Sequence, residues 1–267
     1  MSMRGPIAII TGSGTYALPG LEADPPQPVA TRFGEALVSQ GSFAGAEVLH
    51  IARHGDGHRR LSSQVTHQAN VAALADLGAR AVIGVTVCGA LDPDLPLGSL
   101  IVFDDLHFLT NRLPDGSICT LHTEPGAPGR GHWIFDGPFS VPLREALLGG
   151  AQAAGLGARD GGCYGHVDGP RFNTRAELRM LRSCGVTAVS QTAGPETVLC
   201  GEANLPYALL GYATDYANGV QEEPTPVAEL IRLVGQSTAS FGRALSAAVP
   251  LLAGADLAPT GTHFSWD

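Results

Sequence analysis

The chain of 267 residues contains no lysine, so arginine supplies all 16 of its basic residues. Without lysine, the chain cannot form a Schiff base through lysine, hold a lysine-linked pyridoxal cofactor or use a P-loop lysine. The formal net charge of −9 at pH 7 disfavours a nucleic-acid-binding surface, and we expect no nucleic-acid partner. An anionic substrate must therefore be bound locally, by a few Arg or His side chains and backbone N–H groups.

Cysteine is sparse, and long hydrophobic runs are missing. The five cysteines, at positions 88, 119, 163, 184 and 200, form no CxxC pair and no spacing typical of metal ligands. We therefore expect reduced thiols, no bound metal and a cytoplasmic protein. No apolar segment approaches the roughly 20 residues of a membrane span, and the N-terminal residues show no secretory pattern. We expect no membrane interaction.

Short apolar segments alternate with helical patterns along the chain. This alternation predicts an α/β fold, a single three-layer domain over residues 1–267 with a mixed, mostly parallel central sheet flanked by helices. Residues 111–140 are rich in Gly, Pro and His, show no periodicity and are predicted to be a long loop. Predicted strands cover 6–11, 48–52, 79–86, 100–103, 186–190 and 206–214. Predicted helices cover 64–78, 143–154, 173–184 (with Asn173 as N-cap), 195–203 and 225–252 (with Pro226 at the first helical position).

Small and polar residues follow several of these strands. Gly12-Ser13-Gly14 after the first strand can bring backbone N–H groups and a hydroxyl to an anion, although an ordinary turn is the more frequent meaning of this pattern. Arg53-His54 offers a planar guanidinium for two oxygens of a phosphate, or simply a surface arginine with a capping histidine. Thr86 and Val87 lie at a strand end, where open α/β sheets bind ligands. These segments favour an anion site.

Three other residues allow both a functional and a structural interpretation. Phe172 follows Gly-Pro-Arg on a loop and can stack on a heterocycle, but a lone Phe is more often part of a core. Asp215 at a strand end can accept hydrogen bonds from a base, or cap a turn. Cys88 has no matched His–Asn partner, and we expect a buried thiol rather than a nucleophile. The neighbours Asp104 and Asp105 point to opposite faces of a strand and are interpreted as structural.

Taken together in this order, the segments resemble the trimeric nucleoside phosphorylases, and most closely the 5′-methylthioadenosine phosphorylase branch. The similarity covers nearly the whole chain: the stretch from Ala52 to Asn70 aligns without gaps, and the later stretch from Gly169 to Asp215 is similar throughout. The resemblance implies that phosphate is held by Ser13, Arg53, His54, Thr86, the Val87 amide and Thr192.

The same resemblance implies the rest of the site and its chemistry. Phe172 would stack on the purine, and Asp215 would face its polar edge and act in catalysis with His54 and Thr192. His132 lies in a segment that this family donates across a subunit interface, so the active enzyme would be a homotrimer. Phosphate would attack C1′ of the nucleoside as a co-substrate, and no cofactor would be needed.

Three positions depart from the family pattern. Gln191 stands where the family usually has Met beneath the ribose, Asn173 replaces Ser or Glu, and Ala217 replaces a second Asp. Asp215 favours a 6-amino purine, whereas Asn173 and Ala217 favour a 6-oxopurine, and Asn218 could supply a donor if its loop turns inward. The base therefore stays open.

An apolar face would surround the 5′ end of the nucleoside. Val227, Leu230 and Ile231 fall at helical spacing and suit a 5′-methylthio group, although this face could equally pack only against the core. The main hypothesis is a phosphorylase of 5′-deoxy-5′-methylthio purine nucleosides. The alternatives are an inosine or guanosine phosphorylase, one for another 5′-modified nucleoside, a water-using nucleosidase, and a purine-binding sensor without turnover.

Overall fold

A computed structural model of the chain describes residues 5–266, and its centre is a large mixed β-sheet. Residues 1–4 and Asp267, which the predicted domain 1–267 includes, lie outside the described residues. The strands are β1 (Ile7–Thr11), β2 (Glu22–Ala23), β3 (Gln27–Thr31), β4 (Gly34–Phe43), β5 (Ala46–Ala52), β6 (Ala81–Ala90), β7 (Leu100–Val102), β8 (Asp105–His107), β9 (Gly131–Ile134), β10 (Ala158–Asp160), β11 (Cys163–His166), β12 (Val186–Ser190), β13 (Tyr207–Tyr216) and β14 (Thr262–Ser265).

The α-helices of the described residues lie on the faces of this sheet. They are α1 (His67–Asp76), α2 (Val141–Ala153), α3 (Arg175–Ser183), α4 (Ala193–Glu202) and α5 (Val227–Ala248). One core cluster contains residues of α1 and α4, and a second, on the other face, contains residues of α2 and α5. No helix in residues 5–266 has the length and apolar character needed to cross a membrane.

The strand order of the sheet is β10-β7-β13-β6-β1-β5-β4-β2. Its centre, β5-β1-β6-β13, is parallel, and β4 and β7 pair antiparallel with this centre. β12 pairs antiparallel with the end of β6, through Ala188 opposite Ala90, and joins β11 and β8 to the sheet. The expected fold class, a mixed and mostly parallel sheet between helical layers, is therefore confirmed.

Close packing at the centre of the sheet depends on a glycine in β6. Every residue of β1 is buried, as expected for a strand covered on both faces. On the adjacent β6, a Cβ added to Gly84 would lie 2.1 Å from the Tyr207 hydroxyl of β13. Glycine at this position is therefore what allows Tyr207 to cross over β6.

The predicted loop 111–140 was wrong in one part. Gly131–Ile134 forms β9, which pairs antiparallel with β14, with His132 opposite Phe264. The partner strand lies more than a hundred residues later in the chain, so no local pattern around β9 could reveal the pairing. Such a two-stranded ribbon is specified by tertiary context rather than by its own periodicity.

The α-helices of the described residues begin and end within four residues of the sequence-based prediction, and α3 and α5 show how the ends differ. The N-cap of α3 is Thr174 rather than Asn173, because the Thr174 hydroxyl accepts from the Glu177 N–H and the Glu177 carboxylate accepts from the Thr174 N–H. This reciprocal pair is a capping box. Pro226 is the N-cap residue of α5 rather than its first helical residue, and α5 ends at Ala248, after which residues 249–252 form a 3₁₀ turn.

Candidate functional site

A cavity of about 440 Å³ opens at the carboxyl ends of the central strands. This is where the ligand of an open α/β sheet is expected, because loops from several strands converge there. Most of the residues predicted from the sequence line this one cavity: Ser13, Arg53, His54, Thr86, Val87, Phe172, Asn173, Gln191, Thr192, Asp215, Ala217, Leu230 and Ile231. The structure therefore brings together segments that are up to about two hundred residues apart in sequence.

Arg53 is almost completely buried at the inner end of the cavity, with 1% of its surface exposed. Its Nε and Nη2 donate to the two oxygens of the Glu196 carboxylate at 2.6 and 2.9 Å, and its Nη1 donates to the Val85 carbonyl at 2.8 Å. The Tyr207 hydroxyl also donates to Glu196, at 3.0 Å. Most N–H groups of the guanidinium are thus bound by the protein, which fixes its orientation.

The charge state of Arg53 follows from this pairing. Burial acts to lower the pKa of Arg53, but the Glu196 carboxylate more than offsets it and raises the pKa above its usual value. The buried pair leaves little net charge at the inner end of the cavity. Arg53 therefore contributes a fixed, oriented cation rather than a flexible one.

Ser13 lies in the turn after β1, beside the same guanidinium. A Cβ added to Gly12 would lie 2.3 Å from Arg53 Nη1, so a side chain there would collide with the guanidinium. Gly14 has a φ of 80° and lies against the Val234 backbone of α5. Both glycines are thus needed to place the Ser13 hydroxyl on the cavity wall.

His54 lines the cavity as a neutral imidazole. Burial, followed by the charge of Arg53, lowers the pKa of His54 to about 4. Its Nδ1 lies 2.9 Å from the Arg60 carbonyl, which can only accept, so Nδ1 carries the proton and Nε2 is a hydrogen-bond acceptor. The ring stacks on His58 at a centroid distance of 4.2 Å, and His58 Nδ1 lies 2.9 Å from the Tyr16 hydroxyl.

Hydroxyl groups form the adjoining wall. Thr86 on β6 lies 3.0 Å from the Ser190 hydroxyl at the end of β12. Thr192 is the N-cap of α4, so the positive end of that helix dipole adjoins the cavity. Together with Ser13, these residues present hydroxyl donors next to a helix N-terminus, an arrangement that suits an oxyanion.

Asp215 occupies the other end of the cavity, at a β-bulge. The register of β13 against β6 shifts between Ala213 and Asp215, so Asp215 lies opposite Gly89. Bulges redirect side chains in this way. Asp215 Oδ2 would lie 3.2 Å from a Cβ on Gly89, so Gly89 leaves room for the carboxyl group. Burial raises the pKa of Asp215, although the Thr214 hydroxyl, which donates to Oδ1 at 2.9 Å, acts against this shift.

Phe172 and its loop form an open side of the cavity. The Phe172 side chain is 63% exposed, so its ring is free to contact a planar ligand. Asn173 Nδ2 donates to Glu177, and the Asn218 amide donates to the Asn173 carbonyl at 2.8 Å. The Asn218 loop therefore does turn towards the cavity, which Asn218 lines. Ala217 is buried there.

The apolar part of the cavity comes from α5. Leu230, Ile231 and Val234 line it, whereas Val227, with 70% of its surface exposed, does not. His132 does not line the cavity of its own chain and lies exposed on β9. Cys88 is buried, and burial followed by the charge of Asp215 raises its pKa, as befits a structural thiol.

Residues 6–250 match the family model of the phosphorylase superfamily. The chain belongs to this superfamily. It is 30% identical to the 6-oxopurine nucleoside phosphorylase of Pyrococcus furiosus over 92% of both chains. It is 36% identical to the S-methyl-5′-thioadenosine phosphorylase of Chloroflexus aurantiacus over 79% of this chain and 72% of that one.

A solved structure is similar over nearly the whole length. The methylthioadenosine phosphorylase of Schistosoma mansoni in complex with adenine superposes with a TM-score of 0.85 and 26% identity, over 94% of this chain and 93% of that chain. The resemblance to nucleoside phosphorylases and the assignment as a pentosyltransferase-type enzyme are thus confirmed.

Sequence reasoning missed several residues of this phosphorylase that line the cavity or orient the lining residues. Glu196 ends the Gln191–Glu196 segment, but its pairing with Arg53 was not predicted, although a buried charge requires a partner. Ser190 is a polar residue at the end of an apolar strand, and this position indicates ligand binding in an open α/β sheet. Ser62 and Val234 carried no signal in the sequence because only tertiary packing brings them to the cavity.

Proposed function

We propose that the chain catalyses phosphate-dependent cleavage of the N-glycosidic bond of a 5′-deoxy-5′-methylthio purine nucleoside. The observation that carries the proposal is the continuity of the cavity. An oxyanion-binding wall, an exposed aromatic ring with a buried carboxyl group, and an apolar end share one space of about 440 Å³. Phosphate, purine and 5′ substituent would occupy these three parts, and C1′ would lie between the first two.

Phosphate binding is supported by the hydroxyl and guanidinium groups of the inner wall. Ser13, Thr86, Thr192 and the Val87 amide would donate to phosphate oxygens beside the fixed guanidinium of Arg53. His54 would accept a hydrogen bond from an O–H group of phosphate, because its Nε2 has no hydrogen. The site would thus bind a protonated form of phosphate with that proton directed at His54.

Bond cleavage requires stabilisation of charge on both sides of C1′. As the bond from C1′ to the purine nitrogen breaks, positive charge on the sugar would be stabilised by phosphate, whose oxygen then bonds to C1′. The departing purine takes up the electron pair and a proton. Asp215, whose pKa burial raises, would supply or share that proton. Nothing in this sequence of steps requires an organic cofactor or a metal ion.

The identity of the base depends on the protonation of Asp215. An ionised carboxylate accepts from a 6-amino group, whereas a protonated carboxyl group can donate to a 6-oxo group. Relatives of both kinds match the chain, one acting on 6-oxopurine nucleosides and one on methylthioadenosine. An inosine- or guanosine-type substrate is therefore the second candidate, favoured by Ala217 in place of a second carboxylate.

The 5′ end is proposed to be apolar. Leu230, Ile231 and Val234 present hydrocarbon surface that would leave a 5′-hydroxyl without a partner but would bury a methylthio group. His132 of a neighbouring subunit would complete this end in a homotrimer. Exposed apolar side chains on β9, β14 and the residues beside them support this assembly: Ile134, Phe135, Phe264 and Trp266. The five free cysteines suit the expected cytoplasmic location.

The test is a panel of four nucleosides: methylthioadenosine, methylthioinosine, adenosine and inosine, each with and without phosphate. We expect base release only with phosphate, and kcat/KM at least about tenfold higher for the methylthio pair than for the 5′-hydroxyl pair. Equal release without phosphate would indicate a nucleosidase. Calorimetric binding without release from any of the four would indicate a purine-binding protein, and either result would contradict the proposal.

A further inference from the structure

The side chain of Gln191, which lines the cavity, bridges two other segments of the chain. Gln191 directly follows β12, and its Oε1 accepts from the Ser62 hydroxyl at 2.8 Å. Its Nε2 donates to the Arg171 carbonyl at 3.1 Å. Both ends of one carboxamide are thus bound by protein groups, each from a different segment of the chain.

The two segments joined by this bridge belong to different parts of the candidate site. Ser62 lies in a 3₁₀ turn (Ser62–Gln64), a few residues after Arg53 and His54 on the anion side. Arg171 directly precedes Phe172, the candidate stacking ring on the base side. Gln191 therefore couples the anion side to the base side through a single side chain.

The loop passes so close to the bridge that it has no room for a side chain. A Cβ added to Gly169 would lie 2.0 Å from Gln191 Oε1 and 2.2 Å from Ser62 Oγ. Glycine is thus required for the hydrogen bond between Ser62 and Gln191 to fit beneath the loop. This close fit argues that the bridge is a built feature rather than an incidental contact.

The position of Phe172 depends on its backbone more than on packing of its ring. With 63% of the side chain exposed, neighbouring groups hold the ring only weakly. The side chains of Arg171 and Asn173 bind the loop to α3, since both donate to Glu177. Gln191 binds the backbone of the same loop at the Arg171 carbonyl, so the two attachments together set the position of the ring.

We propose that Gln191 is a positioning residue that sets the purine-stacking loop and thereby determines nucleoside affinity. The inference rests on the proposed function for its substrate, but not for its geometry. A methionine at this position, as in the resembling family, has a similar length but no N–H to donate to Arg171. The amide is therefore a specific feature of this chain that replaces an apolar contact with a polar bridge.

The kinetic test compares Gln191→Met, Ser62→Ala and the double variant with the unaltered chain. For Gln191→Met we expect the nucleoside KM to rise about five- to tenfold, the change expected when the loop loses its hydrogen bond from Gln191 to the Arg171 carbonyl, with kcat and the phosphate KM within about twofold. Ser62→Ala should raise the nucleoside KM less. The double variant should resemble Gln191→Met, because both changes remove one bridge.

A direct contact between Gln191 and the sugar would give a different result. In that case the effect of Gln191→Met would disappear with the matching 2′-deoxynucleoside, and the positioning role would be wrong. An unchanged nucleoside KM, or purely additive effects of the two substitutions, would also overturn it. The melting temperature of each variant controls for general loss of structure.

A second readout does not require turnover. Hydrogen–deuterium exchange of the peptide covering residues 169–173 should be at least about fivefold faster in Gln191→Met than in the unaltered chain, with the strands unchanged. Unchanged hydrogen–deuterium exchange of this peptide would show that Gln191 does not hold the loop in place. If the unaltered chain released no purine but this exchange difference were seen, the proposed function would fail while the positioning role would stand.

Discussion

At the residue scale, the site combines one permanent charge with two groups whose protonation is set by burial. Arg53 is held by Glu196 and keeps its charge, His54 is neutral, and Asp215 has a raised pKa. Groups with opposed perturbations at the two ends of a cavity are typical of acid–base chemistry. The roles assigned to these side chains stay predictions until variants are measured.

Replacing Asp215 by Asn should shift the choice of base. The amide keeps the size of the carboxyl group but always offers N–H donors, which suit a 6-oxo group and cannot supply a proton to the departing purine. We expect Asp215→Asn to lower kcat by about a hundredfold and to raise the ratio of kcat/KM for methylthioinosine over methylthioadenosine at least about tenfold. Steady-state kinetics on the two nucleosides measures both, and an unchanged ratio would remove Asp215 from base recognition.

Buried histidines should make the fold sensitive to mild acid. Burial lowers the pKa of His50 and His54 to about 4 and that of His67 and His166 to about 3. In the unfolded chain these groups titrate near ~6.5, so the unfolded state binds more protons below that pH, and stability rises with pH. Their contribution is complete above pH ~6.5 and is lost as pH falls towards 4 to 3.

We expect the free energy of unfolding to fall by up to about 2 kcal/mol per histidine as the pH is lowered from ~6.5 to ~5. Urea denaturation at pH 7, 6 and 5 gives the free energy of unfolding, and calorimetry in two buffers of different ionisation enthalpy gives the protons taken up. A free energy of unfolding that stays constant over this range would show that these rings titrate alike in the folded and unfolded chain, which would contradict the effect of burial.

At the element scale, the central strands and α4 are joined by a buried polar cluster. Arg53 follows β5, Glu196 lies on α4, Tyr207 begins β13, and Val85 of β6 supplies a carbonyl. Each buried polar group finds a partner on another element, so the cluster fixes how these elements meet. The room for it comes from a glycine on β6.

Gly84→Ala tests this packing, with Gly235→Ala as its matched control. A Cβ at Gly84 would lie 2.1 Å from the Tyr207 hydroxyl, whereas one at Gly235, exposed on α5, would meet no atom within 4 Å. We expect Gly84→Ala to lower the free energy of unfolding by about 1–3 kcal/mol. Gly235→Ala should raise it by about 0.5–1 kcal/mol, because alanine favours the helix. Equal effects in urea denaturation would contradict this account of the β6–β13 packing.

At the scale of the whole molecule, the sequence predicted the layered fold and most of the cavity lining. Apolar segments closed by small polar residues predicted the strand ends, because parallel strands bring their carboxyl ends together, and the family resemblance supplied the roles of the lining residues. The sequence could not predict the β9–β14 ribbon or the bulge beside Asp215, since both depend on pairing between distant segments. The hydrogen bond between Ser62 and Gln191 could not be predicted for the same reason.

The β9–β14 ribbon is the expected interface between subunits of the proposed trimer. We expect light scattering after size exclusion to give three times the 27.5-kDa chain mass. Ile134→Asp should dissociate the assembly by placing a charge on an apolar face, whereas Leu251→Asp, on an exposed residue after α5, should not. A monomeric unaltered chain, or equal behaviour of the two variants, would contradict the trimer and the role given to His132.

The central claim is that phosphate, not water, receives the sugar. The most direct measurement follows methylthioadenosine and methylthioinosine by ³¹P NMR and chromatography, in phosphate and in phosphate-free buffer. We expect one sugar 1-phosphate formed for each free purine, and no purine without phosphate. Purine released at the same rate in phosphate-free buffer, with no new phosphorus signal in phosphate, would contradict it.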